Sequence, residues 1–220
     1  MRLLIAGATG LIGARALDRA LADPRVDAVT VVARRTLARQ HPRLDHRLVD
    51  FAALPALPPA DAALCALGTT MRQAGSKQAF LAVDHDAVLA FARAARAAGA
   101  TRLAVVSSVG AAAGSGNFYL DTKGRVEQAQ GALGFERLVL LRPSLLDGPR
   151  DEFRPLERPA ILAARLVNPL LVGPWRRYRA IAAQDVADAL LEAVLAQDAP
   201  ARILEYDAIR KLAHSMPSRR

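Results

Sequence analysis

Cysteine is almost absent: Cys65 stands alone among 220 residues. That count excludes a disulfide framework and every multi-cysteine metal site. Aromatic residues are few, at 5%, so Ala, Leu and Val must fill the interior. Lysine is scarce too. Only Lys77, Lys123 and Lys211 stand among 30 basic residues, against 21 acidic ones, and the formal net charge is +9. In so Ala-rich a chain the arginine excess reads as compositional habit as much as functional choice. His41, His46, His85 and His214 have no ligand-like spacing. Asp84-His85-Asp86 looks like a metal triplet, but consecutive helix residues point about 100° apart. No metal site is expected, and Cys65 reads as a core residue.

Long apolar runs are missing as well. The longest uncharged stretch, Leu103 to Leu120, includes Ser107, Ser108, Gly110, Gly114, Ser115, Gly116 and Asn117. A membrane span needs ~20 mostly apolar residues, and this stretch is too polar. Leu3-Leu4-Ile5 and the small residues of Ala14-Arg15-Ala16 have the outline of a signal peptide. Gly7, Gly10 and Gly13 break it, so the chain is read as cytoplasmic with no membrane partner.

What is present is an alternation. The chain is 52% hydrophobic, enough for one large core and too much for a disordered protein. Residues 1–220 fit a single domain. Apolar runs at Leu3–Ala6, Val26–Ala33, Leu44–Val49, Ala60–Leu67, Leu103–Ser107 and Arg137–Leu141 predict six strands. Helices are predicted over Leu11–Ala22, Lys77–Ala98, Asn117–Leu133 and Gln184–Leu195. The first rests on Leu11, Ala14, Leu17 and Leu21. Uninterrupted apolar strands between helices predict an α/β fold, a doubly wound parallel sheet of the Rossmann type. Residues 149–182, rich in Pro and Arg, predict a small C-terminal lobe on the substrate side. Arg202–Tyr206 reads as an edge strand, and Lys211–Arg220 as a frayed basic tail.

Gly7-Ala8-Thr9-Gly10-Leu11-Ile12-Gly13 joins the first strand to the first helix. Such a tight turn needs positive φ, and bare glycines let a pyrophosphate approach the backbone at the helix N-terminus. The spacing is G-x-x-G-x-x-G rather than the commoner G-x-G-x-x-G. No Gly-Lys-Ser/Thr follows, which excludes a nucleotide P-loop. An NAD site normally places Asp or Glu at the end of the second strand for the ribose 2′-hydroxyl. Here that place holds Arg34-Arg35. Guanidinium groups suit a 2′-phosphate, so the expected cofactor is NADP(H).

Tyr119 and Lys123 are four apart in a predicted helix and share one face. An ammonium beside a phenol favours phenolate and fits it for acid/base work near neutral pH. Taken alone, such a pair is more often a surface contact. Ser107-Ser108 ends the fifth strand just upstream, where a hydroxyl could hold a substrate carbonyl.

Glycine turn, serine pair and Tyr-x-x-x-Lys occur here in the order of the short-chain dehydrogenase/reductase superfamily, which the chain resembles from Met1 to about Leu195. Cys65-Ala66-Leu67-Gly68-Thr69-Thr70, Ala74-Gly75, Val49-Asp50-Phe51 and Arg142-Pro143 resemble its atypical group, the one that includes the human HIV Tat-interacting oxidoreductase. The resemblance implies roles. Gly7, Gly10 and Gly13 would hold the pyrophosphate, with Thr9, Leu11 and Ile12 in the turn. Arg34 and Arg35 would face the 2′-phosphate, and Asp50 and Phe51 the adenine. Leu67, Gly68 and Thr69 would pass under the cofactor ribose. Tyr119 would be the acid/base, Lys123 would hold the nicotinamide ribose, Ser107 or Ser108 would orient the substrate, and Pro143 would border the nicotinamide.

Three functions follow in order. The first is NADPH-dependent reduction of a small carbonyl compound. The second is an NADPH-binding regulatory protein or sensor without turnover. The third, a nucleotide-sugar epimerase or dehydratase, is disfavoured by the short lobe. Arg176-Arg177-Tyr178-Arg179 beside Trp175 has the mix of a nucleic-acid patch, but no nucleic-acid motif accompanies it and no such partner is expected. The oligomeric state is not legible.

Overall fold

The computed structural model describes residues 1–147, 168–198 and 202–215. Seven parallel strands form one sheet: β1 (Arg2–Ala6), β2 (Ala28–Ala33), β3 (Leu44–Leu48), β4 (Ala62–Cys65), β5 (Arg102–Val106), β6 (Arg137–Leu141) and the short Ile203–Leu204 strand that becomes β9. Their order is β3-β2-β1-β4-β5-β6-β9. The fold is therefore the doubly wound Rossmann sheet that the alternation predicted.

Period-two burial explains why the strands read as continuous apolar runs. Leu3 and Ile5 of β1 face one core, and Leu4 and Ala6 the other. Ala62 and Leu64 of β4 divide from Ala63 and Cys65 in the same way. The first core lies under α1 (Leu11–Ala22) and α6 (Ala183–Leu195). The second lies under α4 (Val88–Ala97), with Val126 of α5 (Phe118–Gly131) at its border. With both faces covered, Leu3–Ala6 of β1, Ala62–Cys65 of β4 and Leu103–Val105 of β5 are buried throughout.

Several expectations are corrected. The buried stripe of α1 is Ile12, Gly13, Ala16, Leu17, Ala20 and Leu21, so Ala14 lies beside it rather than in it. The long helix over 77–98 is three segments: α3 (Lys77–Leu81), a π-helical turn (Ala82–Ala87) and α4. A short α2 (Met71–Ala74), N-capped by Thr70, precedes it. A helix, α7 (Tyr206–Ala213), runs into the first residues of the predicted tail and buries Tyr206, Ile209 and Ala213 at helical spacing, and the tail beyond 215 lies outside the described residues. Polar Asp207, Arg210 and Lys211 mask that stripe in the sequence.

The predicted lobe falls partly outside the described residues. Its described part, 168–182, holds two 3-10 turns (Asn168–Leu170 and Gly173–Tyr178) and β8 (Ile181–Ala182), which pairs in parallel with β7 (Leu146–Asp147). Trp175 is exposed there, while Arg176 pairs with Asp207 at 2.6 Å and Arg177 lies over the Tyr178 ring. No helix among the described residues is long and apolar enough to cross a membrane.

Candidate active site

The chain runs from β1 outward to β3, then returns to β4 on the other side of β1. Ligands of open α/β sheets bind at such a reversal, beyond the carboxyl ends of the strands. The positions singled out in the sequence, Tyr119 and Lys123 of α5 apart, follow those ends. Gly7 follows β1, Arg34 follows β2, Asp50 lies just past β3, Leu67 just past β4, Ser107 follows β5 and Pro143 lies just past β6.

The three glycines have different physical reasons. Gly7 has φ +87°, and a Cβ on it would stand 2.7 Å from the Leu67 nitrogen. Its turn therefore packs directly on the strand-end loop after β4. A Cβ on Gly13 would stand 2.6 Å from the Gly7 carbonyl carbon, so this glycine lets α1 lie against its own turn. Gly10 differs. It has φ −90° and ψ 170° as the N-cap of α1, which corrects the expectation of positive φ there. A Cβ on it would meet only the Gly7 oxygen, at 3.4 Å. The protein's own packing does not demand glycine at this position, whereas close approach of a phosphate would. No side chain caps α1, so its first N–H groups are left for an anion. These residues fit a dinucleotide pyrophosphate. Thr9 is exposed, Leu11 half-buried and Ile12 buried at the same turn.

Arg34 and Arg35 are both exposed at the end of β2. Asp50 caps the 3-10 turn Phe51–Ala53, accepting the Ala52 N–H at 3.0 Å. The Phe51 ring is packed into the core with Val32 and Leu57, so the expected adenine contact is restricted to what lies beside that ring.

Tyr119 and Lys123 lie on the inner face of α5. The Tyr119 ring packs against Phe80 with centroids 5.7 Å apart, and the Lys123 Nζ is 6.0 Å from the Tyr119 ring centroid. Helix α5 can come so close because Gly124 is bare: a Cβ there would stand 2.7 Å from the Ala112 Cα. Lys123 is buried and pairs with Asp84 of the π-helical turn at 2.7 Å. Burial pulls the ammonium toward neutrality, but its partners, Asp84 foremost, outweigh that and hold its pKa above the ordinary lysine value. The other Asp84 oxygen accepts the Thr69 N–H at 2.7 Å. A Cβ on Gly68 would lie 3.4 Å from Asp84 Oδ1 and 3.8 Å from Lys123 Nζ. The loop Leu67–Thr69 thus borders the ion pair. Cys65, at the end of β4, is fully buried, and its thiol is pushed up to about 12. That rules it out as a thiolate nucleophile near neutral pH.

The structure separates the two serines. Ser107 is buried, and its hydroxyl donates to Glu127 of α5. Arg142 donates to the same carboxylate, through Nε at 3.0 Å and through Nη2. Ser107 is thereby committed to a buried network that ties α5 to β5 and β6. Ser108, half-buried, makes only a 3.4 Å contact to the Val109 carbonyl, so its hydroxyl is the less committed of the two. Pro143 stands beside it through its carbonyl, which accepts the Val109 N–H at 3.0 Å.

Sequence reading named Asp84 and Arg142 without these pairings and did not name Glu127. Glu127 had a signal: Tyr119, Lys123 and Glu127 recur every four residues on one face. Asp84 had none, because a π turn changes which helix residues point inward. It separates buried Asp84 from exposed Asp86, which pairs with His85 at 2.8 Å. No group of three or more His, Cys, Asp or Glu is placed to hold a metal ion among the described residues.

A family model described as NAD(P)H-binding matches residues 7–159. The protein fmp52, mitochondrial, of Emericella nidulans is 37% identical over 161 residues, 69% of each chain. Its Aspergillus clavatus counterpart is 34% identical over 208 residues, 89% of this chain and 88% of that one. The rat protein HTATIP2 is 37% identical over 162 residues, covering 70% of this chain and 66% of that one. Among solved structures, MoeE5 in complex with UDP-glucose and NAD has TM-score 0.67 at 19% identity, over 90% of this chain and 73% of that one. A UDP-galactose 4-epimerase has TM-score 0.65 at 18% identity, over 93% and 76%. At such identities these structures speak to the fold alone. The expectation of a cytoplasmic protein is overturned here, because the fungal relatives bear the word mitochondrial in their names. The chain belongs to the NAD(P)H-binding family, within the atypical short-chain dehydrogenase/reductase group of fmp52 and HTATIP2.

Proposed function

We propose that this protein is an NADP(H)-dependent oxidoreductase that reduces a small carbonyl compound, with Tyr119 as the acid. One observation carries the reading: Tyr119 is half-buried on the inner face of α5 with the ammonium of Lys123 beneath its ring, at the carboxyl edge of the sheet. A lone surface pair would not be built around a buried cation. The second reading, an NADPH-binding sensor, has no use for that arrangement.

A bound reduced nicotinamide would supply a hydride to the carbonyl carbon. The pyrophosphate would be held by Gly7, Gly10, Gly13 and the N–H groups of α1, and the 2′-phosphate by Arg34 and Arg35. Leu67, Gly68 and Thr69 would border the ribose, and Lys123 would hold it. Ser108 donates a hydrogen bond to the substrate oxygen and fixes its direction. The Tyr119 hydroxyl gives its proton to that oxygen as negative charge develops there, and the phenolate left behind is stabilised by Lys123 until solvent reprotonates it.

A panel of small carbonyl compounds, followed by NADPH absorbance with wild type and Tyr119→Phe, tests this. The phenylalanine keeps the ring on Phe80, so NADPH affinity should hold while turnover falls by ~10²–10⁴-fold. Wild-type rates in the variant would defeat the mechanism. Tight NADPH binding with no turnover of any compound would leave the sensor reading standing.

A further inference from the structure

Asp84 is 1% exposed, within a helix whose neighbours on either side, Val83 and His85, are less buried. A carboxylate so deeply buried is costly unless it is paired. This one has a partner at each oxygen: Oδ1 is ion-paired with the ammonium of Lys123 at 2.7 Å, and Oδ2 accepts the N–H of Thr69 at 2.7 Å. The two partners come from different elements, α5 and the loop after β4. The helix that supplies Asp84 departs from α geometry over Ala82–Ala87. Such π turns occur mostly as single turns inside α-helices, often at functional sites.

We propose that Asp84 is the positioning residue of this site: its carboxylate keeps Lys123 charged and fixed beneath Tyr119, and locks α5 to the strand-end loop at Thr69. The proposal rests on the reading of Tyr119 and Lys123 given above. Asp84 touches no reacting atom; it acts through Lys123. The other titratable groups that face the pair are the Tyr119 phenol of α5 and the Cys65 thiol of β4. Cys65 stays neutral to about 12, and the carboxylate is the group in direct contact with the ammonium, at 2.7 Å.

The sign of the effect follows. In the wild type, a lysine held above its ordinary value contributes stability that is fully present below about pH 10.4 and is lost as pH rises further. In Asp84→Asn the amide keeps the size of the side chain and an oxygen for Thr69, but the ammonium is buried without a counter-charge. It then sheds its proton in the folded chain at a lower pH than in the unfolded one, and stability rises with pH over that interval.

Tm of the free protein should be measured from pH 7 to pH 10 for wild type, Asp84→Asn, Lys123→Met and the double variant. The gap between wild type and Asp84→Asn should narrow with rising pH by about 3–5 °C for each unit by which the lysine pKa has fallen. In the double variant that narrowing should vanish. A gap that does not change with pH overturns the proposal. If Asp84→Asn does not fold, the double variant decides. Recovery of folding supports the pairing, and a double variant no better than Asp84→Asn overturns it.

NADPH affinity, titrated by fluorescence over the same range, reads the functional half. It should stay level in the wild type to about pH 9 and weaken with pH in Asp84→Asn. A level affinity in the variant, together with wild-type turnover, would overturn the positioning role. Failure of the wild type to bind NADPH would overturn the proposed function. The Tm gap, read on the free protein, would still uphold or overturn the hold of Asp84 on Lys123.

Discussion

Ser107 and Glu127 are hydrogen-bonded to each other in the interior, joining the end of β5 to the middle of α5. Arg142 closes the network from the end of β6. Three elements that meet at the candidate site are therefore tied by side chains committed to one another.

The neighbouring serines should consequently respond in opposite ways. Ser107→Ala removes a hydrogen bond to a charged acceptor, worth about 1.5–3 kcal/mol. Its Tm should fall by about 3–12 °C, with turnover largely retained at temperatures where it is folded. Ser108→Ala should leave Tm within about 2 °C and cut turnover by ~10²–10³-fold, as loss of a donor to developing oxygen charge does. Calorimetric scans and steady-state rates would check both. A stable Ser107→Ala with no turnover would exchange their roles.

The glycines of the turn should part in the same manner. Gly13→Ala presses a methyl into the Gly7 carbonyl. Overpacking of that kind costs about 1–3 kcal/mol, a Tm loss of roughly 2–12 °C. Gly10→Ala meets no more than ordinary contact within the protein, so its Tm should stay near that of wild type. Its methyl would crowd the pyrophosphate instead, and NADPH affinity should drop by roughly 5–150-fold. Unchanged affinity in a well-folded Gly10→Ala would place the phosphates elsewhere.

Arg34 and Arg35 are exposed at the end of β2, where an acidic residue would repel a 2′-phosphate. NADPH should bind more tightly than NADH. Removal of the arginine that grips the phosphate should cost about 1.5–3 kcal/mol, or roughly 10–150-fold in NADPH affinity, with little change for NADH. Calorimetric titration of Arg34→Ala and Arg35→Ala with both nucleotides would measure this. Equal affinities in the wild type would remove the basis for the preference.

Much of the fold was legible because strands such as Leu3–Ala6 and Ala62–Cys65 are covered on both faces and carry apolar residues at every position. The site was legible where chemistry forces a residue type: glycine at Gly7 and Gly13, and Tyr119 four residues before Lys123. It was illegible where a polar residue is buried by a partner distant in sequence. Glu127 and Asp84 look like surface residues until Arg142 and Lys123 are brought to them. Helix α5 buries Lys123, Glu127 and Gln130, so apolar periodicity could not reveal its inner face. Helix α7 failed for a related reason: a short stripe of Tyr206, Ile209 and Ala213 lies among charges.

Helix α6 has a consequence for the order in which the chain is made. Ten of its thirteen residues are buried. It covers the face shared by α1 and the middle strands, and Glu192 is bound by Arg25, 167 positions earlier. The ribosome releases β1 to β6 well before it releases Ala183–Leu195. At about 5–20 residues per second, roughly 3–11 s separate the end of β6 from the end of α6. Throughout that interval α1 alone covers the face that carries Leu3, Ile5, Val29 and Leu64, and the nascent chain offers the part that α6 will cover as an apolar strip to any chaperone waiting at the tunnel mouth.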